Sequence, residues 1–389
     1  MRLRSCVPLA FFLATLALCA LPSSAQEAGV AESQPATATA DQIVRRGVAY
    51  LLGAQNADGS WGGVRNKMNT DNFANAETHT AWSVGATGLV IDALTSVGGD
   101  DARRAAKKGV ARLAKTAADL KRCADWDIDN VWGYIFGLQG IARALRDPTL
   151  LAGAEREAAV AAGRLYLKGL GDYQSPNGGW AYYADADAAW RPEWATSFTT
   201  AAAIVAQLDA RAAGFVVPAR VFDPAVKAVD RARLPDFAYT YDIMPLPSRR
   251  GGLESINHPR GSLGRTQACG FARFAAGRDV PEAERRAGVD RFFAEHKFLD
   301  CALRKPIPHE SWHANAAYFY LFGHYYASKM VGTLPVAEQA GYYARLVPEI
   351  AKTQEPDGGM WDFYISNHTK PYGTAFGILT LLPASRVKP

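Results

Sequence analysis

The sequence predicts an all-α protein, an (α/α)6 toroid in which six helical hairpins close into a ring. A short motif recurs at multiples of one length, twelve blocks of helical periodicity occur in pairs, and connections alternate between short and long. The motif reads Gln55-Asn56-Ala57-Asp58-Gly59-Ser60-Trp61, then Gln174-Ser175-Pro176-Asn177-Gly178-Gly179-Trp180, then Gln354-Glu355-Pro356-Asp357-Gly358-Gly359-Met360-Trp361. Its glutamines stand 119 and 180 residues apart. These separations are two and three multiples of a unit of about 60 residues, and six such units fill the chain after residue 40. A degenerate copy is visible at Ala232 to Tyr239, where Pro235, Asp236 and aromatic residues keep the placement without the Gly and Trp.

Apolar and Ala residues recur at helical spacing over residues 41–55 and 80–97, 101–118 and 131–146, 155–170 and 196–213. The same spacing continues over 222–233 and 262–277, 282–296 and 311–331, 336–353 and 371–382. No segment alternates convincingly as a strand. The second helix of each pair is apolar on several faces, as in Thr87 to Leu94 and Thr199 to Ala206, and therefore belongs to a buried inner ring. Connections from an inner helix to the next outer one take about 3 to 10 residues, whereas those from outer to inner take about 13 to 28. Helix direction alternates round such a ring, so every long loop emerges on one rim. Loops of that length in a compact domain usually carry function.

The N-terminus has the form of a secretory signal. Arg2 and Arg4 precede an apolar run from Val7 to Leu21, and Ser23 and Ala25 are the small residues a signal peptidase requires. We expect residues 1–25 to be a signal peptide, 26–40 a polar Ala-, Glu-, Ser- and Pro-containing linker, and 41–389 the toroid domain. The apolar run is shorter than the ~20 residues that span a bilayer, so no membrane span is expected in the mature protein. Leu18 is too large to precede a lipidated Cys19. Export to the periplasm or outside the cell follows.

A hydrophobic fraction of 49% against 21% charged residues fits a globular chain of 389 residues with much to bury. The net charge of +5 is scattered in pairs, which argues against a nucleic-acid partner. Cys123, Cys269 and Cys301 outlast the signal. They are too few for a disulfide framework and lack Cys-x-x-Cys spacing, so buried core thiols are expected.

The Gln-x-x-x-Gly-x-Trp motif, its period and its six units resemble the QW repeats of the squalene-cyclase and protein-prenyltransferase superfamily, over essentially all the chain after the linker. The resemblance implies scaffold roles for Gln55, Trp61, Gln174, Trp180, Gln354 and Trp361, the Gln tying helix ends and the Trp stacking beneath the loop. The Asp-Gly or Asn-Gly pair supplies the left-handed turn that ends a helix. The chemical motifs of the family are missing. No Asp-x-Asp-Asp is present, and Asp185-Ala186-Asp187-Ala188 and Asp125-Trp126-Asp127-Ile128-Asp129 come nearest. Gly264-Arg265, Cys269 and His368-Thr369 loosely echo the zinc-ligand segments of prenyltransferases, but Gln267 stands where an Asp ligand is needed.

The long loops gather ionisable and aromatic residues. Asp185 and Asp187 are candidate catalytic acids, since two carboxylates two residues apart on a loop reach one site. Candidate ligand contacts are Trp190, Arg191, Tyr239, Asp242, His258, Arg265 and His368. Six inner-helix N-termini face this rim, and each favours an anion by ~0.3–1 kcal/mol. The expected partner is therefore a negatively charged or oxygen-rich ligand: a small molecule, glycan or peptide. His309-Glu310-Ser311-Trp312-His313 matches the zinc-protease pattern His-Glu-x-x-His, which makes His309 and His313 candidate metal ligands if they share a helix face. Pro306 and Pro308 place His309 at a helix start, and a hydrogen-bonded structural pair is the alternative. The cofactor stays unknown, and catalysis stays open among a non-catalytic binding protein, a polysaccharide lyase or hydrolase, an isoprenoid-processing enzyme and a structural exported protein.

Overall fold

The computed structural model describes residues 38–63, 74–124, 127–183, 195–243 and 254–386. Twelve helices longer than two turns run through them: α1 Ala40–Gly53, α2 Ala76–Val97, α3 Asp100–Thr116, α4 Asn130–Arg146, α5 Gly153–Asp172 and α6 Ser197–Ala212. The second half continues with α7 Ala219–Ala232, α8 Leu263–Ala275, α9 Glu282–Ala294, α10 Phe319–Val331, α11 Val336–Ala351 and α12 Thr369–Arg386. An antiparallel pair of two residues a side, Ala195–Thr196 with Asp242–Ile243, bridges two of the long loops.

The even-numbered helices form the inner ring. Each packs on the next, and α12 returns to pack on both α2 and α1, so the ring closes. Composition explains the division. On α6 nearly every residue from Ser197 to Gln207 is buried, whereas α3 buries one stripe, Ala102, Ala105, Ala106, Val110 and Leu113, beneath a charged face. Close approach needs glycine at one crossing. A Cβ on Gly88 of α2 would stand 2.0 Å from the Phe136 carbonyl oxygen, and one on Gly140 of α4 would stand 2.5 Å from that of Gly88. The first helix starts on a capping box: Gln42 N–H donates to Thr39 Oγ1 at 3.3 Å, and Thr39 N–H donates to Gln42 Oε1 at 2.8 Å.

The repeated motif is the clamp between hairpins. Gln55 Nε2 donates to the Gly59 carbonyl in its own loop and to the Ala105 carbonyl on α3. Gln174 does the same with Gly178 and with Val221 on α7, and Gln354 with Gly358 and with Ile43 on α1. The third clamp thus joins the last hairpin to the first. Six residues after each Gln, a backbone N–H donates to a hydroxyl on the following inner helix: Trp61 to Thr87, Trp180 to Thr200, Met360 to Thr374. The degenerate copy keeps this bond from Tyr239 to Ser262.

Three expectations are corrected. Met360, fully buried, holds the position expected of Trp361, which lies one residue further on and stacks under the Arg304 guanidinium at 4.4 Å. The spacing from Gln354 is the reason, since the loop closes at the sixth residue in every copy. The helix expected from residue 311 begins at Phe319, because His309, His313 and Ala314 take positive φ values that no α-helix accepts. Of the three thiols only Cys269 is buried; Cys123 and Cys301 are exposed, and none is bridged. No helix among the described residues is long and apolar enough to cross a membrane.

Candidate functional site

All six inner helices present their N-termini to the long-loop rim, and each of these termini or the loop before it contributes a side chain there. Asp129 immediately precedes α4 in a left-handed conformation, φ 64°, which is costly for a residue with a Cβ and which aims its side chain across the rim. The Trp82 indole N–H from α2 donates to Asp129 Oδ2 at 2.9 Å. Burial raises this carboxyl to about 6, against the pull of the Trp82 bond. A second acid comes from the sixth long loop. Asp362, 1% exposed, accepts the Leu321 backbone N–H at 2.8 Å on Oδ2, while its Oδ1 has no partner among the described residues. Burial lifts it to about 7. Both carboxyls act electrostatically on the buried Tyr372 hydroxyl.

Arg265 lies in the first turn of α8 and is 1% exposed. Its Nη2 donates to the Ile256 carbonyl, while Nε and Nη1 find no partner among the described residues. The guanidinium carbon lies 5.4 Å from the ring centres of Tyr241 and Phe319. Burial lowers its pKa to about 10, opposed by Cys269, Tyr318, Tyr182 and Asp242. A buried cation with two nitrogens unpartnered among the described residues is expensive unless something anionic or oxygen-rich meets it. Asp129, Asp242 and Arg265 all act electrostatically on the Tyr182 hydroxyl.

A hydrogen-bonded chain orders the tyrosines. His309 donates Nδ1–H to the Ala314 carbonyl at 2.7 Å, because a carbonyl only accepts. Its Nε2 therefore accepts, and Tyr318 Oη–H supplies the proton at 2.9 Å. Tyr241 then donates to the Tyr318 oxygen at 3.0 Å. Burial holds His309 below its usual value, with Arg265 adding to the effect, so the ring is neutral. Beneath this polar layer Trp132 stacks on Phe136, ring centres 5.4 Å apart, next to Phe198 and Phe322.

The candidates named from sequence fall in different places. Arg265 is central and Asp242 faces it. His368 sits against His79, Nε2 to Nδ1 3.4 Å, beside Trp82. Tyr239 fills the scaffold position of Trp61 and Trp180, buried, with Arg273 reaching its hydroxyl at 3.4 Å. His258 stacks on His313, ring centres 4.6 Å apart. His309 and His313 do not share a helix face: they lie in an irregular turn, and both nitrogens of His309 are engaged. Asp185, Asp187, Trp190 and Arg191 lie outside the described residues. Asp129 and Asp362 were present in the sequence as loop acids. The signal that sets them apart, an acid at the last position before an inner helix and one two residues beyond the buried Met360 of the third clamp, needed the helix boundaries to be read.

A metal-compatible cluster appears elsewhere. His296 Nδ1 lies 3.0 Å from Asp300 Oδ2 and 3.4 Å from Glu349 Oε2. Lys352 Nζ already bridges the two carboxylates at 3.3 and 2.5 Å.

No family model and no curated protein matches the chain in sequence. Solved structures match in shape over nearly the whole chain. The apo type II terpene cyclase MstE from Scytonema is 14% identical with a TM-score of 0.50, covering 89% of this chain and 98% of its own. The unsaturated glucuronyl hydrolase of Bacillus sp. GL1, responsible for glycosaminoglycan degradation, is 12% identical with a TM-score of 0.60, covering 90% and 97%. An inactive variant of the α-1,6-mannanase GH76A of Salegentibacter sp. HEL1_6, in complex with α-1,6-mannotetrose, is 10% identical with a TM-score of 0.57, covering 89% and 98%. These likenesses establish the α/α-toroid fold, the architecture shared by terpene cyclases and by these glycan-cleaving enzymes.

Proposed function

We propose that the chain is an exported toroid enzyme that binds an anionic glycan at its long-loop rim and cleaves it by general acid catalysis. The observation that carries this reading is Arg265, a buried guanidinium whose Nε and Nη1 have no partner among the described residues and which acts on the hydroxyls of Tyr182 and Tyr318. A planar guanidinium with parallel N–H groups suits the carboxylate of a uronic acid, which it takes in two parallel bonds. Asp129 is the catalytic acid. Protonated below about 6, it hands its proton to the glycosidic oxygen as the bond to the anomeric carbon breaks. Water then adds hydroxide to that carbon, and its remaining proton restores the acid. Tyr182, Tyr241 and Tyr318 supply hydroxyls for the sugar. Asp185 and Asp187 are proposed as further acid–base groups on the adjoining loop, with Trp190 and Arg191 as ligand contacts.

The test is binding and turnover of uronate-containing oligosaccharides by the mature chain, with neutral mannooligosaccharides as control. Arg265→Gln is expected to weaken uronate binding by about 100-fold, the scale for truncating a buried charge partner. Asp129→Asn is expected to cut turnover by about 100- to 10,000-fold while binding persists. Equal binding of the neutral control, indifferent to Arg265, sinks the anionic reading. A prenyl diphosphate is the second reading, favoured by the aromatic floor of Trp132, Phe136, Phe198 and Phe322, and the same Arg265 variant tests it with that ligand as probe.

A further inference from the structure

The opposite end of the ring, where short turns join the hairpins, holds a cavity of about 270 Å³ open to solvent. Its walls are the last turns of α2, α4, α6, α10 and α12, and its charged lining is Asp92, Arg143, Arg146, Asp209 and Lys329. The charges do not cancel. Arg143 Nε stands 3.8 Å from Asp92 Oδ1, and Arg146 Nη1 stands 3.6 Å from Asp209 Oδ1. Both gaps exceed the 2.7–2.9 Å or so of a charge-assisted hydrogen bond. Asp92 is instead held by the Gln139 amide, which donates to its Oδ2 at 2.7 Å, and by the Ser96 hydroxyl at 3.3 Å.

Lys329 has no carboxylate within bridging distance among the described residues, and its ammonium rests 4.8 Å over the Tyr325 ring. Arg143 Nε is buried without a hydrogen-bond partner among the described residues. Behind the lining, Gln139 is 1% exposed and its Nε2 also donates to the Tyr325 hydroxyl at 2.8 Å. Three cations thus face two carboxylates, one of them already committed to Gln139, around a polar space with one buried donor, Arg143 Nε, unpaired among the described residues. Buried polar atoms left unpaired in a folded chain indicate groups that complete them from outside the chain.

We propose that this cavity is a second binding site, separate from the long-loop rim, for the phosphate or carboxylate group of a small molecule held between Lys329, Arg143 and Arg146. The volume limits the ligand. It lies just under the usual range for small-molecule pockets, which begins at roughly 300 Å³, so a compact ion or monosaccharide-sized acid fits and a polymer does not. Lys329 supplies a point charge and the two arginines planar donors. The inference does not depend on the rim being a glycan site.

The experiment is calorimetric titration of the mature chain with inorganic phosphate and, separately, with glucuronate, against sodium chloride at matched ionic strength. Saturable binding of at least one probe is expected, and Lys329→Gln or Arg143→Gln weakens it about tenfold, the worth of one charge-assisted hydrogen bond. Both titrations are repeated on Arg265→Gln, which silences uronate binding at the other rim, so that what remains reports this cavity alone. In that background, phosphate preferred over glucuronate identifies a phosphorylated ligand, and the reverse a carboxylated one. No saturation of Arg265→Gln by either probe overturns the proposal, as does saturation in that background that ignores both Lys329 and Arg143. Should a variant fold poorly, a wild-type crystal soaked in tungstate decides: anomalous density between Lys329 and Arg143 supports the site, and density only elsewhere refutes it.

Discussion

A carboxyl buried as deeply as Asp362 weakens the fold at neutral pH and ceases to do so in mild acid. Its ordinary value is 3.8 and its folded value about 7. Between those values the folded chain holds a proton that the unfolded chain has released, so stability falls as pH rises through the window. Above it the loss is complete, on the order of 4 kcal/mol for a shift of this size. Asp129 adds a smaller decline that ends near 6. Asp362→Asn keeps an acceptor for the Leu321 N–H and removes the titration. We expect its melting temperature to exceed that of the wild type at pH 8, with the advantage shrinking toward pH 4. Parallel pH–melting curves for the two proteins would show that Asp362 ionises freely in the fold. Neither acid's importance was readable at the sequence level. Both were visible as loop residues, but burial by side chains from other hairpins sets their chemistry, and the sequence does not show which hairpins meet.

At the scale of the element, the motif loop is where sequence spoke most clearly. A glutamine, a left-handed glycine and an aromatic or large residue at the sixth position specify one small structure, and all three full copies form it. Gly59, Gly178 and Gly358 take φ near 90°, and a Cβ on each would stand 2.4 to 2.5 Å from a carbonyl oxygen of the neighbouring outer helix. Glycine is therefore required twice over, by the backbone conformation and by the contact. Gly358→Ala should lower stability by about 2–4 kcal/mol, combining a strained backbone with a forced displacement of α1. Chemical denaturation of this variant beside Gly277→Ala, where φ is also positive but the surroundings are open, separates the two causes. A cost no larger than that of Gly277→Ala would mean that the clamp onto α1 gives way easily. The segment before α10 was misread for a physical reason. Residues 311–318 carry helix-compatible residue types, but tertiary bonds from Asn315 to the Arg260 carbonyl and from His309 to Ala314 hold the chain in a turn.

For the whole molecule, the period in the sequence was enough to predict twelve helices, their pairing and the inner and outer rings, because a repeat of fixed length with one buried face has few ways to bury it. Closure has a consequence that an open stack of hairpins does not share. In an open array each unit leans only on its neighbours, and removing the last one leaves a shorter stack that still folds. Here α12 covers α10 on one side and α1 and α2 on the other, and Gln354 hands its amide proton to Ile43 across the seam. Ending the chain after Ser366 would uncover the flanks of both the first and fifth hairpins and leave the apolar interior open along its length. We expect that truncated chain to lose cooperative melting and near-ultraviolet circular dichroism while keeping much of its helix signal. Rejoining the helix by circular permutation, with residues 367–386 placed ahead of residue 38, should restore a single sharp transition, since α12 and α1 already lie side by side. A truncated chain that melts as sharply as the full one would mean that the hairpins are stable as a stack and that the seam contributes little.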